Sequence, residues 1–386
     1  MTGRTAYLFS ELQEYVQEHT TGILPSQTIQ ELVGAGHVFA SNSISPEQIQ
    51  PASLDLRLGT VAYRIQASFL PSGESTVMDK VASFAPIEID LSVPKVLERG
   101  CVYIVPLMEE LRLPEEMSAT ANPKSSTGRL DVFTRLITDN SSTFERVGEG
   151  YKGRLYAEVV PRTFSIVARA GDRLNQLRFR RGSPQPHKSD LERLHDKQIL
   201  VYLQDESPAE AMIWGESLGL SVDLNGDSTS DLIGYRARKN TVPIDLRKIG
   251  YYDPTDYWEP VSKTTSRRLI LDPTDFHILT SKERVRIPPG FAAEMVPYDP
   301  LFGEFRIHYA GFFDPGFGYG ADDIKGTHAV LEVRSHEVPF LLEDGQVVGR
   351  LVFERLLSAP SKIYGQGIGS SYQHQRLALS KHFRRG

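Results

Sequence analysis

The chain holds one cysteine, Cys101, and two tryptophans among 386 residues. A lone cysteine forms no intrachain disulfide and suits a reducing compartment, so a cytoplasmic location is expected. Cys101 itself reads as a small buried apolar residue. The same scarcity removes the His-x-Glu and Pro-Cys-x-x-Cys ligand set that a zinc-dependent nucleobase deaminase requires. Ten histidines supply no His-Glu-x-x-His or comparable spacing, so no protein-bound metal is expected. Basic charge is not in excess; the net charge is −6, which argues against a nucleic-acid partner. An anionic ligand would therefore need local cations. No apolar run approaches the roughly 18 residues of a membrane span, so no membrane partner is expected. Residues Met1 to Gly22 are polar and carry acids, unlike a secretory signal or a transit peptide.

What the chain does have is punctuation. Its 31 glycines and 24 prolines separate short β-type runs at Val61 to Ile65, Cys101 to Leu107, Leu155 to Val160, Phe276 to Thr280, Ala329 to Val333 and Val347 to Phe353. Short strands with turn residues between them indicate an all-β sandwich, jelly roll or barrel. Helical signals are few. Phe9 to His19 is one, and Thr28 to Val33 is another, with a Thr28-x-x-Glu31 capping box and stops at Gly34 and Gly36. Gly182 to Lys188 reads as a linker, Ser189 to His195 as a short helix, and Asp223 to Asp231 as a loop.

The runs repeat. Leu113-Pro114 and Ile287-Pro288, Glu158 and Glu332, Gly171 and Gly345, Phe179 and Phe353, and Arg181 and Arg355 are each 174 positions apart. Ile104 and Ile278, Leu111 and Val285, and Ile166 and Phe340 keep the same interval. Similarity on that scale is duplication of a whole domain, and the length accommodates two cores. The expected modules are residues 1–186 and 187–386.

The copies keep different chemistry. Glu332 shares a strand face with Val330, while Leu331 and Val333 point the other way. Such a glutamate alone fits an exposed sheet face; Glu158 at the same register in the first copy favours a role. A carboxyl desolvated among strand residues suits proton transfer near neutral pH. Lys124-Ser125-Ser126-Thr127-Gly128-Arg129 gathers hydroxyls and cations that suit phosphate oxygens, or an ordinary helix cap. The aligned stretch Tyr298 to Gly303 has none of this chemistry. Conversely, the turn Asp314-Pro315-Gly316-Phe317 leads with an aspartate, whereas its counterpart Gly148-Glu149-Gly150-Tyr151 has no aspartate at the leading position. The glycine-rich stretch from Tyr364 to Gln375 reads as a frayed tail or a substrate lid, not a core element.

Taken together, these pieces resemble the dCTP deaminase branch of the dUTPase-like superfamily over nearly the whole chain. Ile49 to Gly59, with Pro51-Ala52-Ser53-Leu54-Asp55-Leu56, looks like that family's opening motif, and Pro243 to Gly250 looks like a worn repeat of it. Lys124 to Arg129 resembles its basic-Ser-Ser-x-x-Arg motif, Ala310 to Gly316 its hairpin, and Val330-Leu331-Glu332 its catalytic strand. Tyr364, Tyr372 and Gln375 fit its C-terminal tail.

The resemblance implies two tandem distorted jelly-roll β-barrels in a homo-oligomer with sites between modules. It implies dCTP as substrate, dTTP as a possible inhibitor, and Mg²⁺ carried on the triphosphate. It makes Glu332 the general base and acid, with Ser125 and the backbone near Ala310 orienting water and Arg129 supporting both side chains. Lys124 and Ser126 would approach phosphates, Asp314 the 3′-hydroxyl, Phe313 the sugar, and Gln375 the base. The chain departs from the pattern in two places. Phe312 stands where the family has an arginine, with Arg146 at the worn equivalent, and Ser371 stands where it has a tail lysine, leaving Lys362 or Arg376 as substitutes. Glu158 is a relic or serves a second site. The rivals are a dUTP diphosphatase, an enzyme doing both reactions, and a non-catalytic deoxynucleotide-binding regulator.

Overall fold

The computed structural model describes residues 19–71, 73, 75–226, 230–297, 305–307, 311–319, 324–335, 337–365 and 376–385, with 305–307 as backbone only. It is built mainly of strands, and both halves follow one plan. In the first half, one sheet has the order Ile87–Asp90, Val61–Ile65, Val102–Arg112, Lys152–Pro161, Val132–Thr138. The other has the order Gly22–Ile23, Asn175–Arg181, Met117–Pro123, Arg146–Val147, with Leu54–Leu56 also on Asn175–Arg181. In the second half, Trp258–Ser262, Leu232–Ala237, His277–Val285, Thr327–Ser335 and Phe305–Ile307 form one sheet. Ile213–Trp214, Ser217–Ser221, Val347–Arg355, Phe291–Pro297 and Phe312–Phe313 form the other. Met117–Pro123 and Phe291–Pro297 differ by 174 at both ends, as the sequence interval requires.

Strand pairing corrects one expected repeat. Leu54 lies opposite Leu177, and Leu218 lies opposite Leu351, the duplicate of Leu177. The second copy of Leu54-Asp55-Leu56 is therefore Leu218-Gly219-Leu220, offset by 164 positions. Ile244–Asp245, by contrast, adds in parallel to Ile166–Ala168 of the first half, extending a small sheet with Lys95–Leu97. The resemblance of Pro243 to Gly250 to the opening motif is thus not a shared structural position. Helix Ser26–Gly34 also starts earlier than its supposed capping box, because Pro25 in extended geometry takes the cap and leaves Thr28 inside the first turn. The short helix expected over Ser189 to His195 runs Lys188–Gln198. Cys101 is partly exposed rather than buried, since it sits at the turn closing from Glu98 into the next strand. Most of the Phe9 to His19 stretch lies outside the described residues.

The halves share apolar and ionic contacts. One core joins strands of the first half to Tyr252, Tyr257, Trp258, Phe276, Ile278, Val330 and Phe383. Phe164 meets Trp258 and Tyr257 edge-on at 5.4 and 5.8 Å, and Phe383 meets Tyr257 at 5.3 Å. Arg334 pairs with buried Asp131 and donates to Thr163 at 3.0 Å; Arg169 meets Asp245 at 2.6 Å, and Arg247 meets Asp172 at 2.8 Å. The buried Arg334–Asp131 pair fixes which surfaces meet more than it adds net stability. The second core lies between the two sheets of the second half and includes Leu331 and Val333. No helix among the described residues is long and apolar enough to cross a membrane.

Candidate functional site

Strand alternation sets the position of Glu332. Leu331 and Val333 enter the second core, whereas Val330, on the face of Glu332, joins the core shared with the first half. The opposing residue is Ile278, and it joins the same shared core. Glu332 is consequently 5% exposed, and burial pushes its carboxyl up to about 7 against the pull of Arg129. Arg129 Nε lies 3.9 Å from its Oε1. Arg129 caps the short helix Ser125–Gly128, so the hydroxyl-bearing helix and the acidic strand meet within one chain.

That helix is anchored by its backbone and by a late segment of the chain. Lys124 accepts from Thr127 and Gly128 through its carbonyl at 2.8 and 3.0 Å. Its Nζ donates to Asp55 at 2.5 Å, and Arg173 stands 3.7 Å from the same carboxylate. Ser380 Oγ donates to the carbonyl of Ser126 at 2.8 Å, and Arg129 Nη1 donates to the carbonyl of Ala378 at 3.0 Å. Next in the chain is Lys381, whose ammonium is pulled below its ordinary value by burial and by the nearby cations Lys124 and Arg173. Lys381, Asp55 and Arg173 are site neighbours that motif reading missed. Only Asp55 lay in a quoted motif; the others arrive through folding. Of the expected lysine substitutes, Lys362 is committed to the carbonyls of Pro46 and Ile49, and Arg376 to Asp223.

The hairpin supplies the far side. Phe317 N–H donates to the carbonyl of Asp314 at 3.1 Å, as Tyr151 N–H does to Gly148 in the first copy. Gly316 has φ +94, and a Cβ there would stand 3.0 Å from Ile363 Cβ and Tyr364 N, so glycine is required. Phe313 meets Phe317 edge-on at 4.9 Å, and Tyr364 lies 5.6 Å from Phe317. Burial pushes the Asp314 carboxyl up to about 6, opposed by Arg178 and Lys124. Among the described residues its buried Oδ1 has no hydrogen-bond partner, and it lies 3.6 Å from Arg178 Nη2. Arg146, the worn equivalent of the missing hairpin arginine, is exposed on the strand beside Thr120. Ala310, Ser371, Tyr372 and Gln375 lie outside the described residues. Among the described residues, no three His, Cys, Asp or Glu side chains converge as a metal site.

The face bearing Glu158 is closed differently. Ile104 lies opposite it, as Ile278 does opposite Glu332, but here helix Val77–Ser83 covers the surface through Val77 and Val81. Arg135 pairs with Glu158 at 2.6 Å and stacks 3.4 Å over Phe144. Glu158 is thus held in an ion pair with a stacked guanidinium. Glu158→Gln is expected to leave turnover within about 3-fold while lowering stability by about 1–2 kcal/mol, the scale of one charge-assisted hydrogen bond. Steady-state rates and chemical denaturation check both halves of that expectation.

Two family models cover this chain: the N-terminal domain of 2′-deoxycytidine 5′-triphosphate deaminase over residues 20–183, and the C-terminal domain over residues 187–383. The dCTP deaminase of Halorubrum lacusprofundi is 30% identical over 138 residues, 34% of this chain and 64% of that protein. The dUMP-forming dCTP deaminase of Pseudarthrobacter chlorophenolicus is 31% identical over 141 residues, 34% of this chain and 70% of that protein. The crystal structure of 2′-deoxycytidine 5′-triphosphate deaminase from Agrobacterium tumefaciens is 51% identical, covers 88% of this chain and 100% of its own, and superposes with a TM-score of 0.83. With both of its domains matched in order, the chain belongs to the 2′-deoxycytidine 5′-triphosphate deaminase family.

Proposed function

We propose that the chain hydrolyses dCTP to dUTP and ammonia at a site made by Glu332 from the second half and the Lys124–Arg129 segment from the first. The observation that carries this reading is a buried carboxyl held near pKa 7 beside a single arginine. At that value both protonation states are populated near neutral pH, as a group that takes and returns a proton needs. Ionised Glu332 accepts a proton from water as its oxygen bonds to C4, and delivers it to the ring nitrogen. A second transfer moves the new hydroxyl's proton to the amino group. The C4–N bond then breaks with its electron pair, leaving a carbonyl and ammonia. Ser125 orients the water, and Arg129 supports Ser125 and Glu332.

Lys124, Ser126 and Lys381 take phosphate oxygens, with Mg²⁺ arriving on the triphosphate as part of the substrate. Phe313 packs on the deoxyribose and Asp314 accepts from its 3′-hydroxyl. Purified protein with dCTP should release ammonia, with kcat falling below about pH 7 as Glu332 becomes protonated. Nucleotide binding without ammonia at any pH would leave a regulator. Stoichiometric pyrophosphate beside the ammonia would favour the dUMP-forming reaction named for the Pseudarthrobacter relative.

A further inference from the structure

Arg178 lies on the first-half strand Asn175–Arg181, and its side chain is fully buried. All of its recorded guanidinium partners come from the second half. Nη1 donates to the carbonyl of Ala293 at 3.0 Å and to Glu354 at 3.2 Å. Nη2 donates to the carbonyl of Phe313 at 3.3 Å and stands 3.6 Å from Asp314 Oδ1. The guanidinium plane lies 3.9 Å over the ring of Phe312. Three consecutive hairpin residues thus rest on one cation that crosses from the other half. The duplicate of Arg178 is Val352, so only one of the two copies offers this support.

The geometry leaves Asp314 in an unusual state. Among the described residues its buried Oδ1 accepts no hydrogen bond, and at 3.6 Å Arg178 Nη2 stands beyond hydrogen-bond length. A buried carboxylate with an open lone pair beside a fixed positive charge is arranged to accept from a hydroxyl that a ligand brings. We propose that Arg178 is a positioning residue: it holds the Asp314 carboxylate charged and aimed, so that the first half sets recognition of the sugar 3′-hydroxyl by the second. The inference rests on the proposed role of Asp314 toward deoxyribose.

Affinities for dCTP and for 2′,3′-dideoxy-CTP, each measured on wild type, Arg178→Lys and Asp314→Asn, test it. Wild type is expected to prefer dCTP by about 10-fold or more, the scale of one charge-assisted hydrogen bond. Both variants should bring the ratio to about 3-fold or less, because lysine keeps the charge but neither the stacking nor the fork. A purely structural role for Arg178 would weaken both ligands alike and keep the ratio. Phe312→Leu removes the ring beneath the guanidinium without touching a charge, and should give an intermediate ratio even if Arg178→Lys does not fold. Retention of the wild-type ratio in Arg178→Lys, or in Phe312→Leu where the former is insoluble, overturns the proposal, as does a wild type indifferent to the 3′-hydroxyl. Ammonia release by wild type is read separately. A protein showing the expected ratios without ammonia would sink the catalytic reading and leave Arg178 in place.

Discussion

Glu332→Gln should abolish ammonia release, by at least about 10²-fold and up to the 10⁴-fold that positioned acid–base catalysis contributes, while making the protein more stable above neutral pH. The two effects share a cause. A carboxyl whose folded pKa is raised binds its proton more tightly when folded, so its ionisation costs stability as pH rises from the unfolded value toward the folded one. For Glu332 that window runs from its ordinary value of 4.5 up to about 7, and the full cost persists above it. Glutamine removes the charge and keeps the shape, so a gain of about 1–3 kcal/mol is expected at pH 8, offset in part because Arg129 loses its counter-charge. The gain should shrink below pH 7 and vanish near pH 4. Denaturant titrations of both proteins across that range, beside ammonia assays, measure it. Unchanged stability at pH 8 would mean that Glu332 is ionised without strain, and its suitability as a proton carrier would be lost.

Phe383→Ala should be the most damaging single truncation near the C-terminus. Phe383 is 2% exposed and is enclosed by Tyr252, Tyr257 and Trp258. Large-to-small changes of a buried aromatic cost about 3–5 kcal/mol. The consequences should reach the site. The segment that Phe383 pins down brings Ala378 to Arg129, Ser380 to Ser126, and Lys381 to the neighbourhood of Lys124. KM for dCTP should therefore rise in Phe383→Ala by about 10-fold or more, roughly the worth of one charge-assisted contact, and Phe383→Leu should recover most of the loss. A variant with wild-type stability and KM would show that this segment is not needed to build the site.

The residues legible in the sequence were those carried by contiguous motifs or by strand alternation. Glu332 fell on the predicted face because Val330, Leu331 and Val333 fix the register. Lys124 to Arg129 read as a cation-flanked helix start because the spacing is local. Arg178, Lys381 and Arg173 were not legible. Arg178 and Lys381 are unremarkable basic residues until the two modules pack, and Arg173 until the first half folds it against Asp55; no local pattern encodes either event. The opening motif misled for a related reason: Pro243 to Gly250 preserves its letters but extends a first-half sheet, whereas the structural repeat at Leu218-Gly219-Leu220 has lost the aspartate. The fate of Glu158 turned on helix Val77–Ser83 and Arg135, which close that glutamate face with local chain. The equivalent face at Glu332 joins a core shared by both modules and meets Arg129 at the end of helix Ser125–Gly128, and no local pattern announces that difference in cover.

A crystal structure of Glu332→Gln soaked with dCTP tests this division most directly. The cytosine amino group should face residue 332, the phosphates should lie against Lys124 and Ser126 of the same chain, and the 3′-hydroxyl should reach Asp314. A nucleotide bound instead over Glu158 and Arg135, or touching only one module, would contradict the account.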